Sequence, residues 1–220
     1  MKGVIFDWDG VVIDSSAHHE KSWELLAEEI QKPLPPGHFK AGFGKKNQEI
    51  IPGLLRWSED PEEIQRLGDR KEEIYRALVR EQGVVVLPGA RELLESLKLA
   101  SILRSVGSST PRSNLDAIFA ATGLGELFDA VVSANDVGNG KPAPDVFLLA
   151  AERLGLAAAD CLVIEDAHVG IEAAHRAGMK VLAVATTNPI EDLTLADAAV
   201  PSLAGVLPDF LNQVWAAVKR

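Results

Sequence analysis

Cysteine and long hydrophobic runs are almost absent from this 220-residue sequence. Its single cysteine, Cys161, excludes an intrachain disulfide framework and fits a reducing compartment. No apolar run approaches the roughly 20 residues that span a bilayer, and acids follow the N-terminus too early for a signal peptide. Basic residues number 22 against 32 acidic ones, and the net charge of −10 disfavours nucleic acid and anionic membranes as partners. We therefore expect a cytoplasmic protein.

Short apolar runs alternate with amphipathic segments along most of the chain. The runs that predict buried strands are residues 3–6, 102–106, 130–133, 161–164 and 181–184. The segments that predict helices are residues 111–122 with Thr110 as N-cap, 144–154, 169–177 and 203–218. Alternating strands and helices predict an α/β fold, a Rossmann-like doubly wound parallel sheet with helices on both faces.

One long stretch interrupts this alternation. Between residues 16 and 82 the pattern is helical, with helices predicted at 22–30, 47–57 and 61–81 and no convincing strand. This pattern predicts an α/β core made of residues 1–15 and 87–220, and an inserted α-helical cap domain made of residues 16–86.

Two pairs of acids follow predicted strands. Asp7 and Asp9 stand two residues apart, so an extended chain points both side chains the same way. Glu165 and Asp166 end another strand. One acidic pair alone is equally well an ordinary turn, but two pairs at the carboxyl edge of one sheet are costly unless a cation neutralises them. Oxygen ligands without histidine or cysteine favour a hard cation, and Mg²⁺ is the natural candidate.

Two further strand ends carry residues that suit an anion. Ser108 and Ser109 offer hydroxyls and amides at a helix start, although simple N-capping is the common alternative. Lys141 stands in a loop that is rich in glycine and proline. A surface lysine is the ordinary interpretation, but the stiff loop favours a lysine held in place as a point charge for a phosphoryl group.

In chain order, these segments resemble the four motifs of the haloacid dehalogenase (HAD) superfamily. No single motif is decisive, but four in the right order over nearly the whole chain are a strong signal. They are Asp7-x-Asp9-Gly10, Ser108, Lys141, and Glu165-Asp166 followed by Gly170. The helical insert is similar to the cap of the branch that holds phosphoglycolate phosphatase and β-phosphoglucomutase.

This resemblance implies specific roles. Asp7 would be the nucleophile that becomes an aspartyl-phosphate, and Asp9 the general acid and base. Mg²⁺ would bind the Asp7 carboxylate, the Asp9 main-chain carbonyl and Asp166, with Glu165 either a further ligand or a supporting residue. Ser108, Ser109 and Lys141 would hold the phosphoryl oxygens together with the amides of Trp8 and Asp9, while the Trp8 side chain enters the core.

In the cap, the same resemblance singles out His19 and Lys71 as substrate or hinge residues. Both lie in charged helical segments, where a solvated surface is the equally plausible alternative. Asn47 and, in the core, Arg112 are weaker candidates. The mutase has an arginine in this region that helps to hold a second phosphate. The segment 42–47 carries lysines, Lys45 among them, and no arginine, which disfavours mutase activity.

The leading prediction is a Mg²⁺-dependent phosphatase that acts on a small phosphorylated metabolite, such as a sugar phosphate or a phosphoglycolate-like compound. A sugar-phosphate mutase of the β-phosphoglucomutase kind is the alternative within the same branch. A silent binding module for Mg²⁺ or a phosphorylated ligand is disfavoured because every motif residue is present. A dehalogenase is disfavoured because Asp9 suits phosphoryl transfer to water. We expect a monomer or a weak homodimer.

Overall fold

The computed structural model describes residues 1–42 and 45–217. The strands in these residues are β1 (Gly3–Phe6), β2 (Ile13–Asp14), β3 (Val85–Val86), β4 (Leu103–Gly107), β5 (Ala130–Val132), β6 (Cys161–Glu165), β7 (Lys180–Val184) and β8 (Ala198–Val200). The α-helices are α1 (Ser16–Glu29), α2 (His38–Gly42), α3 (Asn47–Glu49), α4 (Pro61–Gln82), α5 (Ala90–Leu99), α6 (Arg112–Thr122), α7 (Asp145–Arg153), α8 (His168–Arg176) and α9 (Pro208–Ala216). Within the described ranges, no helix is both long and apolar enough to cross a bilayer.

Six of the strands form one parallel sheet in the order β5-β4-β1-β6-β7-β8. Strand β1 lies at its centre, where Phe6 is in register with Val106 of β4 on one side and Ile164 of β6 on the other. The carboxyl ends of β1, β4 and β6 therefore meet at one edge. The predicted α/β fold class is confirmed.

The central strands are buried on both faces, which explains why their sequences are continuous apolar runs. Val4, Ile5 and Phe6 are completely buried, although successive side chains point to opposite faces of the sheet. On one face, Ile5 packs in a cluster with Phe147 of α7 and Ile171 of α8. Cys161 is also buried in this cluster, as a small apolar residue rather than a metal ligand.

Several predicted boundaries are wrong, each for a local reason. Helix α6 begins at Arg112, because Pro111 is extended with ψ 143°, so Thr110 is not its N-cap. Pro52 cannot donate a backbone hydrogen bond, and the helix predicted over residues 47–57 becomes short α3 and a π-helix from Ile50 to Leu55. The C-terminal helix begins at Pro208 because Leu207 is extended. Its predicted end at residue 218 lies outside the described residues.

The chain divides into two compact units. One comprises Met1–Asp14 and Val84–Arg220, and the other is the insert Ser15–Gly83. The insert has its own core, which includes the buried residues Trp23, Leu26, Ile51, Trp57 and Leu67. Its longest helix, α4, begins with Pro61 directly after Asp60, whose carboxylate accepts a hydrogen bond from an amide of the first turn at 3.1 Å.

Candidate active site

The first site segment is the turn that follows β1. The Asp7 amide donates to the Ile164 carbonyl at 2.9 Å, so the strand ladder continues to Asp7 and holds its position. Gly10 turns the chain at φ 83°, a left-handed conformation that favours glycine. Asp7 is buried, and the Asp9 carboxylate accepts a hydrogen bond from the hydroxyl of Thr110. The two acids thus have different surroundings despite their close spacing.

The second segment joins β6 to α8. Glu165 accepts hydrogen bonds from the amides of Asp166 at 2.7 Å and Ala167 at 2.8 Å, which satisfies donors that precede the first turn of α8. Gly170 makes room for this carboxylate, since a Cβ there would lie 1.7 Å from the Glu165 Oε1 atom. Glu165 and Asp166 are both almost completely buried.

Lys141 connects the two acidic segments. Its Nζ atom lies 2.5 Å from Oδ1 of Asp7 and 2.7 Å from Oε1 of Glu165, and it lies 4.7 Å from the centre of the Phe147 ring. The lysine side chain is only 6% exposed, so this is a buried, charge-assisted contact rather than a surface ion pair. These two ion pairs fix the position of the Lys141 ammonium.

Three carboxylates gather around this single ammonium. Those of Asp7, Glu165 and Asp166 each offer an oxygen within 4.8 Å of the others. Burial raises the pKa of Asp7 to about 7 against the opposing charge of Lys141. Burial, together with Glu165 and Asp7, raises the pKa of Asp166 to about 9. Burial alone would lower the pKa of Lys141, but the charges of Asp7 and Glu165 outweigh it and raise that pKa.

This cluster fits a divalent cation. The combined negative charge of its three carboxylates is larger than the single positive charge of Lys141. Its donors are carboxylate oxygens, which hard cations prefer. The carboxylate of Asp9 is outside the group of three and is engaged by Thr110. The main-chain carbonyl of Asp9, rather than its side chain, therefore remains the predicted ligand at that position.

The loop after β4 contributes hydroxyls more than amides. The Ser108 amide donates to the Val132 carbonyl at 3.0 Å, and the Thr110 amide donates to the Ser108 hydroxyl oxygen at 3.0 Å. Two of the amides expected to bind an anion are thus engaged by protein acceptors. Ser108 is buried, whereas Ser109 is exposed.

Trp8 packs as predicted. Its side chain is completely buried, with ring centres 5.1 Å from Phe119 and 5.9 Å from Phe128 in edge-on arrangements. Only the main chain of Trp8 is therefore placed to contact a ligand in the site. The aromatic cluster fixes the residue between Asp7 and Asp9, and hence the direction of the turn.

In the insert, four predicted or neighbouring residues form a hydrogen-bonded chain. Nζ of Lys71 lies 2.6 Å from Nδ1 of His19 and 3.0 Å from Oε1 of Glu72. Asn47 donates to the same Glu72 oxygen at 2.8 Å. His19 also stacks on Tyr75, with ring centres 4.1 Å apart. The solvated-surface alternative is wrong for Lys71, which is 2% exposed.

The remaining candidates are on the surface. Lys45 is exposed, and its neighbours Phe43 and Gly44 in the predicted segment lie outside the described residues. Arg112 is half exposed and pairs with Asp116 at 2.8 Å on its own helix.

The sequence prediction missed three polar partners of the acids. Thr110 donates to Asp9, while Thr187 and Asn188 both donate to Asp166, the latter to its main-chain carbonyl at 3.0 Å. A signal was present for Thr187 and Asn188, because hydroxyl and amide residues begin at Thr186, two positions after the apolar run 181–184, much as Ser108 follows the run 102–106.

Comparison with known proteins supports one family. A family model described as haloacid dehalogenase-like hydrolase matches residues 1–178. The β-phosphoglucomutase of Bacillus subtilis is 32% identical over 221 residues, covering 98% of this chain and 96% of that protein. The fructose-1-phosphate phosphatase YqaB of Escherichia coli is 33% identical over 185 residues, 80% of this chain and 93% of that protein.

A longer relative and a solved structure agree with this assignment. The chloroplastic 5-amino-6-(5-phospho-D-ribitylamino)uracil phosphatase of Arabidopsis thaliana is 36% identical over 204 residues, but this chain spans only 54% of its length. The crystal structure of β-phosphoglucomutase from Clostridium difficile has a TM-score of 0.85 and 26% identity, and the match covers 98% of this chain and 97% of that one. The chain therefore belongs to the family of haloacid dehalogenase-like hydrolases.

Proposed function

We propose that this protein is a Mg²⁺-dependent phosphatase that hydrolyses the phosphate monoester of a small metabolite through an aspartyl-phosphate. The observation that carries the proposal is the buried contact of Asp7 with Lys141 inside a group of three carboxylates, two residues before Asp9. Relatives of this family include phosphatases that act on phosphorylated sugars and related compounds.

Asp7 is the proposed nucleophile. One carboxylate oxygen would attack phosphorus, forming the aspartyl-phosphate as the bond to the leaving oxygen breaks. Lys141 favours the charged form of Asp7 and so opposes the rise in its pKa that burial causes. A bound Mg²⁺, held by Asp7, Asp166 and the Asp9 carbonyl, would supply screening of negative charge as the two anions approach.

Asp9 is the proposed general acid and base. It would protonate the leaving oxygen, and its carboxylate would then take a proton from the water that attacks the phosphoenzyme. The hydrogen bond from Thr110 limits the orientation of this carboxylate. Ser108 and Lys141 would hold the phosphoryl oxygens, with Ser109 and the amides of Trp8 and Asp9 as further donors.

We propose that the helical insert, predicted as residues 16–86, serves as the cap that selects the substrate. Lys71 is 2% exposed within the insert, where desolvation of its charge is costly, and its contacts with His19 and Glu72 offset that cost. His19 and Lys71 are the proposed substrate or hinge residues, with Asn47, Lys45 and Arg112 as secondary candidates. We also propose a cytoplasmic location and a monomer or weak homodimer.

A sugar-phosphate mutase is the second candidate, supported by the full-length match to a β-phosphoglucomutase. Lys45 and Lys46 provide positive charge, but lysine lacks the planar, bidentate geometry with which arginine holds a second phosphate. We therefore favour net hydrolysis, in which the phosphoenzyme transfers its phosphoryl group to water.

The decisive experiment measures phosphate release from a panel of sugar phosphates, phosphoglycolate and nucleotides, with Mg²⁺ and with excess EDTA. Phosphate release that requires both Mg²⁺ and Asp7 would support the phosphatase. The parallel assay supplies β-glucose 1-phosphate with a trace of glucose 1,6-bisphosphate. Accumulation of glucose 6-phosphate with little free phosphate would establish the mutase instead.

A further inference from the structure

We infer that Thr187 is a positioning residue for the metal-binding carboxylate of Asp166, an inference that rests on the metal requirement of the proposed function. Sequence motifs identify the acids at the ends of β1 and β6, but the turn after β7 carries none of the four motifs. Its hydroxyl acts on the site through Asp166.

The sheet brings this turn to the site. Strand β7 is parallel to β6, with Glu165 in register with Ala183, so the chain leaves both strands at the same edge. The Thr187 hydroxyl donates to Oδ2 of Asp166. The Asn188 side chain donates to the main-chain carbonyl of Asp166 at 3.0 Å. One turn thus holds both the carboxylate and the backbone of the same residue.

The space available to the Asp166 carboxylate is also restricted on its other side. A Cβ on Gly10 would lie 2.0 Å from Asp166 Oδ2 and 3.3 Å from the Thr187 methyl group. Oδ2 therefore sits in a narrow space between the glycine turn and the threonine. Thr186 donates a further hydrogen bond to the Gly10 carbonyl, which ties the two turns together.

Electrostatics explains why such a hold is needed. The carboxylates of Glu165 and Asp7 lie close to that of Asp166, with oxygens of all three within 4.8 Å of one another, so their like charges repel. Without a neutral donor on Oδ2, repulsion would turn this carboxylate away from the other two. The threonine hydroxyl opposes that rotation without adding a charge that would compete with a cation.

The test is divalent-ion binding to the full chain without substrate. Titration calorimetry with Mg²⁺ and electron paramagnetic resonance with Mn²⁺ measure Kd directly. We expect Thr187→Val, which keeps the shape and removes the hydroxyl, to raise Kd about tenfold, as loss of a partner of a metal ligand commonly does. Thr187→Ser, which keeps the hydroxyl, should stay within about threefold of wild type. Thr194→Val, at an exposed threonine further along the chain, is the matched control.

The Mg²⁺ dependence of the reaction rate separates a positioning role of Thr187 from a general loss of structure. For Thr187→Val, we expect the Mg²⁺ concentration for half-maximal activity to rise with Kd, while kcat at saturating Mg²⁺ changes much less. An unchanged Kd in Thr187→Val, or equal weakening in the serine and valine variants, would overturn the inference while leaving the phosphatase intact. A wild-type protein that binds neither ion would overturn the proposed metal requirement and this inference with it.

Discussion

Two glycine-to-alanine substitutions in helical segments should change stability in opposite directions. At Gly170, in α8, the new Cβ would meet Oε1 of Glu165 at 1.7 Å. That carboxylate is 1% exposed and accepts from two amides and from Lys141, so it cannot swing away freely. Losing three charge-assisted hydrogen bonds at about 1.5 kcal/mol each, against about 1 kcal/mol gained in helix propensity, lowers the free energy of unfolding by about 3.5 kcal/mol.

Gly53 is the matched control, because it lies in the π-helix of the insert with nothing within 4 Å of its added Cβ. Gly53→Ala should stabilise the protein by about 0.4–1 kcal/mol through the unfolded state. Urea unfolding followed by circular dichroism measures both changes, and phosphate release reports whether Glu165 has moved Lys141. If Gly170→Ala were as stable and as active as Gly53→Ala, the proposed constraint on Glu165 would be wrong.

Three other predictions address catalysis and pH. Asp7→Asn should abolish phosphate release with little change in circular dichroism; substantial turnover would exclude the covalent mechanism. Thr110→Val should lower kcat about tenfold by releasing Asp9, a fraction of the roughly 10²–10⁴-fold that general acid–base catalysis contributes, and Thr110→Ser should restore it. Asp136→Asn should cost about 1 kcal/mol of stability at pH 7, because the Arg153 hydrogen bond lowers the Asp136 pKa to about 2. A carboxylate whose pKa is lower in the folded state contributes its full stabilisation above its unfolded-state pKa and loses it as pH falls to its folded-state pKa. The difference in stability between wild type and Asp136→Asn in urea unfolding should therefore vanish as pH falls from about 4 toward 2.

The central sheet could be predicted because its strands are buried on both faces. Runs such as residues 3–6 and 161–164 carry that signal in composition alone. Edge strand β8 could not be recognised, since Ala198–Val200 is short and only half buried. Helix α5 is absent from the sequence prediction, although Leu93, Leu94 and Leu97 have helical spacing.

The charged residues of the site could also be predicted, because the three acids stand where parallel strands end and Lys141 stands in the glycine- and proline-rich loop that follows β5. Asp7, Lys141, Glu165 and Asp166 do come together. Among their neutral partners, Thr187 and Asn188 carry a signal of the same kind, since they follow the run 181–184, but Thr110 does not. Thr110 is an ordinary helix-start residue in sequence, and its contact with Asp9 spans 101 positions of the chain. Only the order of the strands reveals that contact.

The acids themselves show why such a cluster marks function. In a protein selected only for stability, Asp7 and Asp166 would not be buried beside Glu165, since burial and mutual repulsion raise the pKa of both well above ordinary values. Each proton that folding must force onto these groups, or each charge it must bury, reduces the free energy of unfolding near neutral pH. One lysine offsets part of that cost, and the remaining negative charge is what a divalent cation would neutralise. The repulsion among buried carboxylates that lowers the free energy of unfolding in the metal-free protein is therefore the same interaction that would favour binding of the cation.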